Sequence, residues 1–334
     1  MNRFVYTLAA GLERLGHEVF VVGHTAEDRE TAAQVFGPKA RETIALAKRR
    51  KGRLRVVLDW RLKGGRLLRE LGVEAAVVNG VVPLGFKPKV AVNHGVFNAG
   101  AAAPAASAGL TWKFAAALYR QYDEVVCVSR KLARELEALG IRCGEVIPIP
   151  IEVARYRARP LEERDLILHV GTRPVKRADI SIEAVKELRR RGHDVRLVVA
   201  GPPNPQLPRL EYVEYRFGVS DAELAELYSR ALALVLPSEY EALPYAVLEA
   251  QASGTPVVVS DAVPEEAVVN GVTGIVVSSR DPRAYADALE MLMTDEGLWR
   301  KMSAAALEHV KKYDVEAVAR RWDELLLHLT SRRS

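Results

Sequence analysis

The chain has 334 residues, of which 49% are hydrophobic, and a formal net charge of +5 at pH 7. This length exceeds what one hydrophobic core usually supports, so two domains of ordinary size are expected. Two cysteines, Cys127 and Cys143, exclude an extensive disulfide framework, and no apolar run reaches the roughly 18 residues of a membrane span. The N-terminus lacks the pattern of a secretory signal peptide, so a reducing cytoplasm is the expected compartment.

Positive charge is concentrated between Lys39 and Arg69, a stretch with twelve Lys or Arg residues and only two acidic residues, Glu42 and Asp59. A basic face of this kind is most often simply solvated. It can also attract anionic lipid headgroups or phosphorylated acceptors, which would place the protein peripherally on the inner face of a membrane. Both alternatives stay open, and no nucleic-acid partner is expected.

The first predicted element is a helix over residues 4–15, ended by Gly16 and followed by a strand over residues 19–22. Periodicity then predicts short helices at 30–36 and 41–48, a strand at 54–58, a helix at 62–71, and strands at 75–78 and 90–93. His94 follows the last of these strands directly. This position can face a cleft between domains, although a lone histidine is usually structural.

An alanine-rich tract at residues 99–108 is predicted to be a loop that leads into a helix at 110–120. A strand at 123–129, a helix at 130–139 and a strand at 145–147 follow. The density of proline and charge between Pro148 and Arg164 then indicates a linker between domains.

A second series begins with a strand at 166–170, the loop Gly171-Thr-Arg173-Pro-Val-Lys176 and a helix at 180–190. The end of this helix repeats the end of the first one. Leu12-Glu-Arg-Leu-Gly-His-Glu-Val has the pattern of Leu188-Arg-Arg-Arg-Gly-His-Asp-Val. The repeat predicts two similarly wound halves of the Rossmann type. Further helices are predicted at 221–229, 283–293, 297–311 and 315–329, and strands at 257–259 and 274–277.

The most informative segment is Ser238-Glu-Tyr-Glu-Ala-Leu-Pro-Tyr-Ala-Val-Leu-Glu-Ala-Gln-Ala-Ser-Gly-Thr-Pro-Val-Val-Val259. It places Glu241 in the loop after a buried strand and Glu249 about one turn into a helix at 245–252. Ligands of open α/β sheets lie beyond the carboxyl ends of the strands, near helix N-termini. Two carboxylates there suit a polyhydroxylated, phosphorylated ligand, whereas in isolation this spacing more often means a solvated loop and a helix-surface charge.

The whole string resembles the signature of the retaining glycosyltransferases of family 4: Pro-Ser, Glu241, seven residues, Glu249, then Ala252-Ser-Gly-Thr-Pro-Val-Val. The resemblance implies the α/β fold called GT-B, in which two Rossmann-like domains face each other across a cleft. It divides the chain into an N-terminal acceptor-binding domain (1–155), a C-terminal nucleotide-sugar-binding domain (156–312) and a last helix (313–334) that crosses back to the first domain.

The same resemblance implies roles for individual residues. Glu249 would accept hydrogen bonds from the nucleotide ribose, Glu241 would contact hydroxyls of the donor sugar, and His94 would lie near the transferred sugar. Arg173 and Lys176 would hold the diphosphate, because a planar guanidinium and an ammonium can offset the charge of the leaving group. The remaining donor contacts would come from Val219, Leu243, Pro244 and Tyr245.

The sequence also departs from this family's pattern. Ala242-Leu-Pro244 stands where Gly-Phe-Gly is common, and Pro244 removes one backbone donor, so sugar contacts are expected to differ. Relatives carry a strand and a glycine-rich turn before the first helix, and Met1 falls inside that turn. Either the start was assigned too far downstream or the N-terminal domain lacks its first strand; the first is favoured because a missing central strand exposes unpaired edges.

No Asp-x-Asp, Cys/His cluster or His-Glu-x-x-His occurs in the chain, so neither a metal nor a cofactor is expected and the donor is the nucleotide sugar itself. The expected reaction is metal-independent transfer of a hexosyl group, with retention, to an unidentified sugar, lipid or small-molecule acceptor. Alternatives are a sugar-nucleotide epimerase or hydrolase of the same fold, and a non-catalytic sugar-nucleotide-binding protein. A dehydrogenase is disfavoured because no Gly-x-Gly-x-x-Gly follows a predicted strand.

Overall fold

The computed structural model describes residues 2–25, 42–47, 53–95 and 116–332. The chain divides into two compact units. The first unit comprises Met1–Pro150 with Val315–Ser334, and the second unit comprises Ile151–Asp314. Each unit is built from helices and parallel strands, so the α/β class expected from the sequence is confirmed.

The first unit begins with a helix and contains two parallel sheets in its described part. In chain order its elements are α1 (Asn2–Arg14), β1 (Val22–Thr25), β2 (Ile44–Ala47), α2 (Arg53–Asp59), a π-helix (Trp60–Gly64), α3 (Gly65–Glu70), β3 (Ala76–Asn79), β4 (Lys89–Asn93), β5 (Glu124–Cys127), α4 (Arg130–Glu137) and β6 (Glu145–Val146). Strand β1 pairs with β2, and β3, β4, β5 and β6 form the second sheet in that order. Strand β4 is buried along its whole length, as expected of an inner strand of a parallel sheet.

The second unit has a single six-stranded parallel sheet. Its elements are β7 (Leu166–Val170), α5 (Ala178–Arg190), β8 (Leu197–Ala200), β9 (Val213–Arg216), α6 (Asp221–Arg230), β10 (Ala231–Leu236), α7 (Tyr245–Ala252), β11 (Val257–Ser260), β12 (Gly274–Val277), α8 (Pro282–Thr294) and α9 (Glu296–Val310). The strand order is β9-β8-β7-β10-β11-β12. This is the Rossmann order. Successive strands are added on one side of β7 up to β9 and on its other side from β10 onward, and ligands of such sheets bind at this switch between β7 and β10.

The last helix, α10 (Val315–Ser331), returns to the first unit and packs on α1. A Cβ on Gly11 of α1 would lie 2.8 Å from the Cβ of Ala319, so the glycine allows the two helices to approach closely. Trp322 of α10 is fully buried, and its ring meets that of Phe4 edge-on at a centroid distance of 6.3 Å. Burial of each such side chain contributes about 1.5–3 kcal/mol, which explains why α10 belongs to this unit.

Two predicted elements near the basic segment are wrong. The expected strand at 54–58 is helix α2, because Asp59 accepts ion pairs from Arg55 at 3.5 Å and from Lys63 at 2.9 Å, four residues away on either side. Such spacing favours a helix over the β propensity of a Val-Val-Leu run. The expected helix at 41–48 contains strand β2, whose Ile44 pairs with Val22 of β1.

Other predictions fall wholly or partly outside the described residues. These are the helix at 30–36, the loop at 99–108, most of the helix at 110–120 and part of the segment from Lys39 to Arg69. Among the residues that the structure does describe, no helix is both long and apolar enough to cross a bilayer.

Candidate active site

Two loops of the second unit meet where the strand order reverses. The loop after β7 contains a short 3-10 turn, Pro174–Lys176, and the loop after β10 leads into α7. The backbone N–H of Glu239 in the second loop donates a hydrogen bond of 2.8 Å to the carbonyl of Val175 in the first. Arg177 also donates to the carboxylate of Glu239 at 3.0 Å. The loops are therefore joined directly, by main chain as well as side chain.

Lys176 and Glu241 form an ion pair between these loops. The Nζ of Lys176 lies 2.6 Å from Oε1 of Glu241, and the two side chains are 15% and 8% exposed. The stem of Lys176 passes over Gly171, where a Cβ would lie 2.9 Å from its Cγ and where φ is +108°. Glycine suits this position on both counts, because other residues rarely adopt such a backbone and would displace the lysine.

Arg173 directly precedes the same 3-10 turn as its N-cap and is exposed. Within the residues that the structure describes, its guanidinium has no hydrogen-bond or ion-pair partner, in contrast to Lys176 three residues further on. A guanidinium presents five N–H donors in a planar fork that matches the oxygens of a phosphate. Arg173 is therefore free to bind a ligand, whereas Lys176 and Arg177 in the same loop are already paired with carboxylates.

Glu249 lies within α7 and is only 2% exposed. Its Oε2 accepts a hydrogen bond of 2.8 Å from the hydroxyl of Tyr228, a fully buried residue of α6. With both Glu241 and Glu249 buried, neither carboxylate is a solvated surface charge. A buried carboxylate requires hydrogen-bond donors. Both carboxylates follow β10, and a ligand at the carboxyl end of this strand could donate hydrogen bonds to them.

The other residues expected to contact a donor also follow strands of this sheet. Leu243 and Pro244 are buried, and Tyr245 is the half-buried first residue of α7. Pro244 is the N-cap of α7; it provides no side-chain cap, and its carbonyl accepts a hydrogen bond of 3.2 Å from the N–H of Val247. Val219 is half-buried in the loop after β9, next to Gly218 with its φ of +64°. These residues therefore share the carboxyl edge of one parallel sheet.

His169 of β7 supports this site and was missed from the sequence. Its ring is fully buried, with Nδ1 at 2.8 Å from the Ser181 hydroxyl and Nε2 at 2.7 Å from the carbonyl of Gly171. Because the carbonyl can only accept, Nε2 carries the hydrogen and the hydroxyl donates to Nδ1. Burial lowers the pKa of His169 to about 4, so the ring is neutral and fixes the turn beneath Lys176. The signal available in the sequence was a histidine within an apolar run, two residues before the loop.

His94 lies in the first unit, directly after β4. Its ring packs edge-on against Phe4 at 4.7 Å between centroids. Burial lowers the pKa of His94 to about 4, so its ring is neutral at pH 7. Its Nε2 atom is buried and has no partner among the described residues. A neutral ring with an open nitrogen can exchange one hydrogen bond with a ligand.

No group of three or more His, Cys, Asp or Glu side chains within the described part of the chain is arranged to hold a metal ion.

Comparison with known families gives two matches that together extend over most of the chain. The family model described as Glycosyltransferase Family 4 matches residues 1–155, and the model described as Glycosyl transferases group 1 matches residues 164–295. A D-inositol 3-phosphate glycosyltransferase of Frankia alni is 35% identical over 193 residues, which cover 51% of this chain and 47% of that protein. The chain thus spans about half the length of this curated relative.

Solved structures similar to this one share its fold. Sucrose-phosphate synthase from Thermosynechococcus elongatus superposes with a TM-score of 0.79 at 18% identity, covering 98% of this chain and 93% of the other. HepE from Anabaena, solved with UDP and glucose, gives a TM-score of 0.62 at 17% identity, covering 72% of this chain and 71% of its own. The GT-B fold expected from the sequence is thereby confirmed.

Proposed function

Because the chain belongs to the glycosyltransferases of family 4, we propose that it transfers a sugar from a nucleoside-diphosphate sugar to a hydroxyl group of an acceptor. The observation that carries this proposal is the cluster of Lys176, Glu241 and buried Glu249 beside the reversal point of the second unit's sheet. A diphosphate needs cations, and sugar hydroxyls need acceptors that are held in place. The two joined loops and helix α7, which follows the second of them, offer both.

The diphosphate would lie against the loop after β7. Arg173 is free to bind it as a fork, and Lys176 would turn from Glu241 towards a phosphate oxygen when the donor arrives. These cations would stabilise the negative charge that develops on the leaving group, which is the largest electrostatic demand of the reaction. We therefore propose that the reaction needs no metal ion.

The sugars of the donor would be held by the two carboxylates. Glu249, fixed by Tyr228 at one oxygen, would accept hydrogen bonds from the ribose, and Glu241 would accept them from the transferred sugar. HepE was solved with UDP and glucose, and we extend this chemistry to the present chain by proposing a UDP-hexose as donor. The buried Leu243-Pro244 pair would line the sugar side in place of a glycine-rich turn.

Transfer would proceed with retention of the anomeric configuration. The bond between the anomeric carbon and the phosphate oxygen breaks, a bond to the acceptor oxygen forms on the same face, and the acceptor's proton passes to the leaving diphosphate. His94, neutral and with an open Nε2, would contact the transferred sugar. The name of the Frankia relative suggests a phosphorylated cyclitol as acceptor, and D-inositol 3-phosphate is the first acceptor to test.

The basic segment would bring the protein to anionic membranes. In its described part, Leu62 is 69% exposed on the π-helix between the exposed cations Arg61 and Lys63. Apolar and cationic side chains that alternate in this way suit a surface of anionic lipid. Vesicle flotation tests this: the protein should float with phosphatidylglycerol vesicles and not with phosphatidylcholine vesicles, and equal behaviour with both would contradict it.

Calorimetry with UDP, GDP and ADP tests the donor site. Lys176→Ala and Glu249→Ala should each weaken nucleotide binding, whereas Cys127→Ala, a change in β5 of the first unit, should leave it intact. Unchanged affinity in the first two variants would refute the site.

Incubation of the UDP-hexose with and without acceptor, in EDTA, then distinguishes transfer from hydrolysis and epimerisation. A glycoside formed only with acceptor supports transfer, whereas free or isomerised sugar without acceptor indicates the hydrolase or epimerase.

A further inference from the structure

Three histidines pair with carboxylates in the described part of the chain: His17 with Asp323 at 2.8 Å, His24 with Asp59 at 3.2 Å, and His193 with Glu290 at 2.6 Å. The second pair differs in burial. Its side chains are 12% and 4% exposed, against 36% for His17 and 25% for His193. Of these three rings, only that of His24 has a buried nitrogen, Nδ1, without a described partner.

The partner of Nε2 determines what the Nδ1 atom of His24 can bind. A carboxylate has only acceptor oxygens, so Nε2 must carry the hydrogen that is donated to Asp59. In the neutral ring, Nδ1 is then left with a lone pair and no hydrogen. It can accept a hydrogen bond and cannot give one. A buried acceptor without a donor is costly, so a ligand that complements it must supply an O–H or N–H group.

Asp59 is itself held rigidly. Its Oδ2 accepts from His24, while Oδ1 faces Lys63 at 2.9 Å and Arg55 at 3.5 Å. The hydrogen bond from Lys63 outweighs burial and, with the bond from His24, holds the pKa of Asp59 below its ordinary value. The carboxylate is therefore charged at neutral pH, and each of its two oxygens already has a partner. It orients the ring of His24.

The position of the pair in the fold also suggests binding. His24 is the third of the four residues of β1, close to the carboxyl end of a parallel strand, where ligands of such sheets lie. Asp59 ends α2 and directly precedes the π-helix Trp60–Gly64. π-helical turns are rare and occur frequently at functional sites. His17, by contrast, precedes β1 and lies at its amino end.

We propose that His24, oriented by Asp59, binds the acceptor of the transfer reaction by accepting a hydrogen bond from one of its hydroxyl groups at Nδ1. The ligand class is a polyol, a cyclitol or sugar, because a fully ionised phosphate has no hydrogen to give. The inference rests on the proposed function and deepens it by naming an acceptor contact in the first unit. His24 is a binding residue in this account and Asp59 is its positioning residue.

The substitution His24→Gln tests the assignment. A glutamine amide can still donate to Asp59 from nearly the place of Nε2 but has no equivalent of Nδ1, so a purely structural pair would tolerate it. We expect the KM for D-inositol 3-phosphate to rise about tenfold, with the KM for the UDP-hexose and the affinity for UDP unchanged. His17→Gln is the matched control and should change none of these. An unchanged acceptor KM, or a loss of melting temperature in place of a KM effect, would overturn the proposal.

Nitrogen NMR on the whole chain labelled with ¹⁵N-histidine gives a second readout that needs no turnover. Nδ1 of His24 should resonate as an unprotonated nitrogen and shift when D-inositol 3-phosphate is added in the presence of UDP, while His17 stays unchanged. A His24 signal that already shows a hydrogen bond and ignores the ligand would mean a bound water, and would overturn the inference. If UDP binds and sugar is transferred but His24 does not respond, only this inference fails; if UDP does not bind, the proposed function fails.

Discussion

Glu241→Gln distinguishes the contribution of the Lys176–Glu241 ion pair to stability from the proposed role of Glu241 in the donor site. The substitution removes the charge that faces Lys176 at 2.6 Å and leaves an amide of the same size. Removing one partner of a fully buried pair costs about 3–5 kcal/mol, and of an exposed pair about 0–1 kcal/mol. With side chains 15% and 8% exposed and an amide oxygen still able to accept, about 2 kcal/mol is expected. For a unit of this size, that corresponds to a melting temperature about 4–8 °C lower.

The same substitution should strengthen the binding of UDP. In the parent protein the diphosphate must draw Lys176 away from Glu241, and it also meets the repulsion of that carboxylate. Both costs fall when residue 241 is neutral. We expect UDP to bind about tenfold more tightly, a gain of about 1.4 kcal/mol, although transfer itself should fall because Glu241 no longer holds the donor sugar as a carboxylate.

Calorimetry with UDP and a thermal melt measure the two effects in the same samples. Glu239→Gln is the matched control, because Glu239 pairs with Arg177 across the same two loops but is exposed, at 52%. It should cost less than about 1 kcal/mol and leave UDP affinity unchanged. The reasoning would be refuted if Glu241→Gln bound UDP no more tightly than the parent, since Lys176 would then not be released by the substitution.

Three further outcomes are expected in the second unit. Tyr228→Phe removes the hydroxyl that donates to Glu249, so the free energy of unfolding in urea should fall by about 1.5–3 kcal/mol and UDP should bind more weakly. Unchanged stability would contradict this hydrogen bond. Burial lowers the pKa of Arg164 to about 10, and its described hydrogen bonds go to neutral oxygens, among them the carbonyl of Ala231 at 2.7 Å. Arg164→Met leaves these oxygens without a donor, so the free energy of unfolding should fall by about 3 kcal/mol in the same assay. His169 protonates more readily when unfolded, at pKa 6.5, than when folded, at about 4, so stability should fall by about 3 kcal/mol as pH decreases through this window, and His169→Asn should flatten the fall. A parent protein equally stable at pH 7 and pH 4 would contradict this.

The sequence was informative where local pattern decides structure. The buried strand before Glu241, which is β10, and the helix at 245–252 were both predicted, because each depends on neighbouring residues only. The burial of Glu249 was not predictable, since it depends on Tyr228 of another helix. Local pattern also failed at 54–58, where ion pairs to Asp59 and tertiary packing favour a helix over β-branched propensity.

The ion pair between Lys176 and Glu241 could not have been predicted from spacing. The two residues are 65 positions apart, and they meet only because β7 and β10 are neighbours in the sheet. A series of βα units does not by itself specify that adjacency. His169 escaped notice for a related reason: within Leu-Ile-Leu-His-Val it looks like part of a buried strand, and only the structure reveals that its Nε2 holds the carbonyl of Gly171.

The main-chain hydrogen bond from Glu239 to Val175 holds the two loops together independently of the side chains that would bind the donor. A bond between backbone atoms survives almost any replacement of the side chains around it. Positions 173, 176 and 241 can therefore be varied, by evolution or in a designed library, while the spacing of the loops that carry them is retained. This makes the pair of loops a natural starting point for changing donor selectivity one residue at a time.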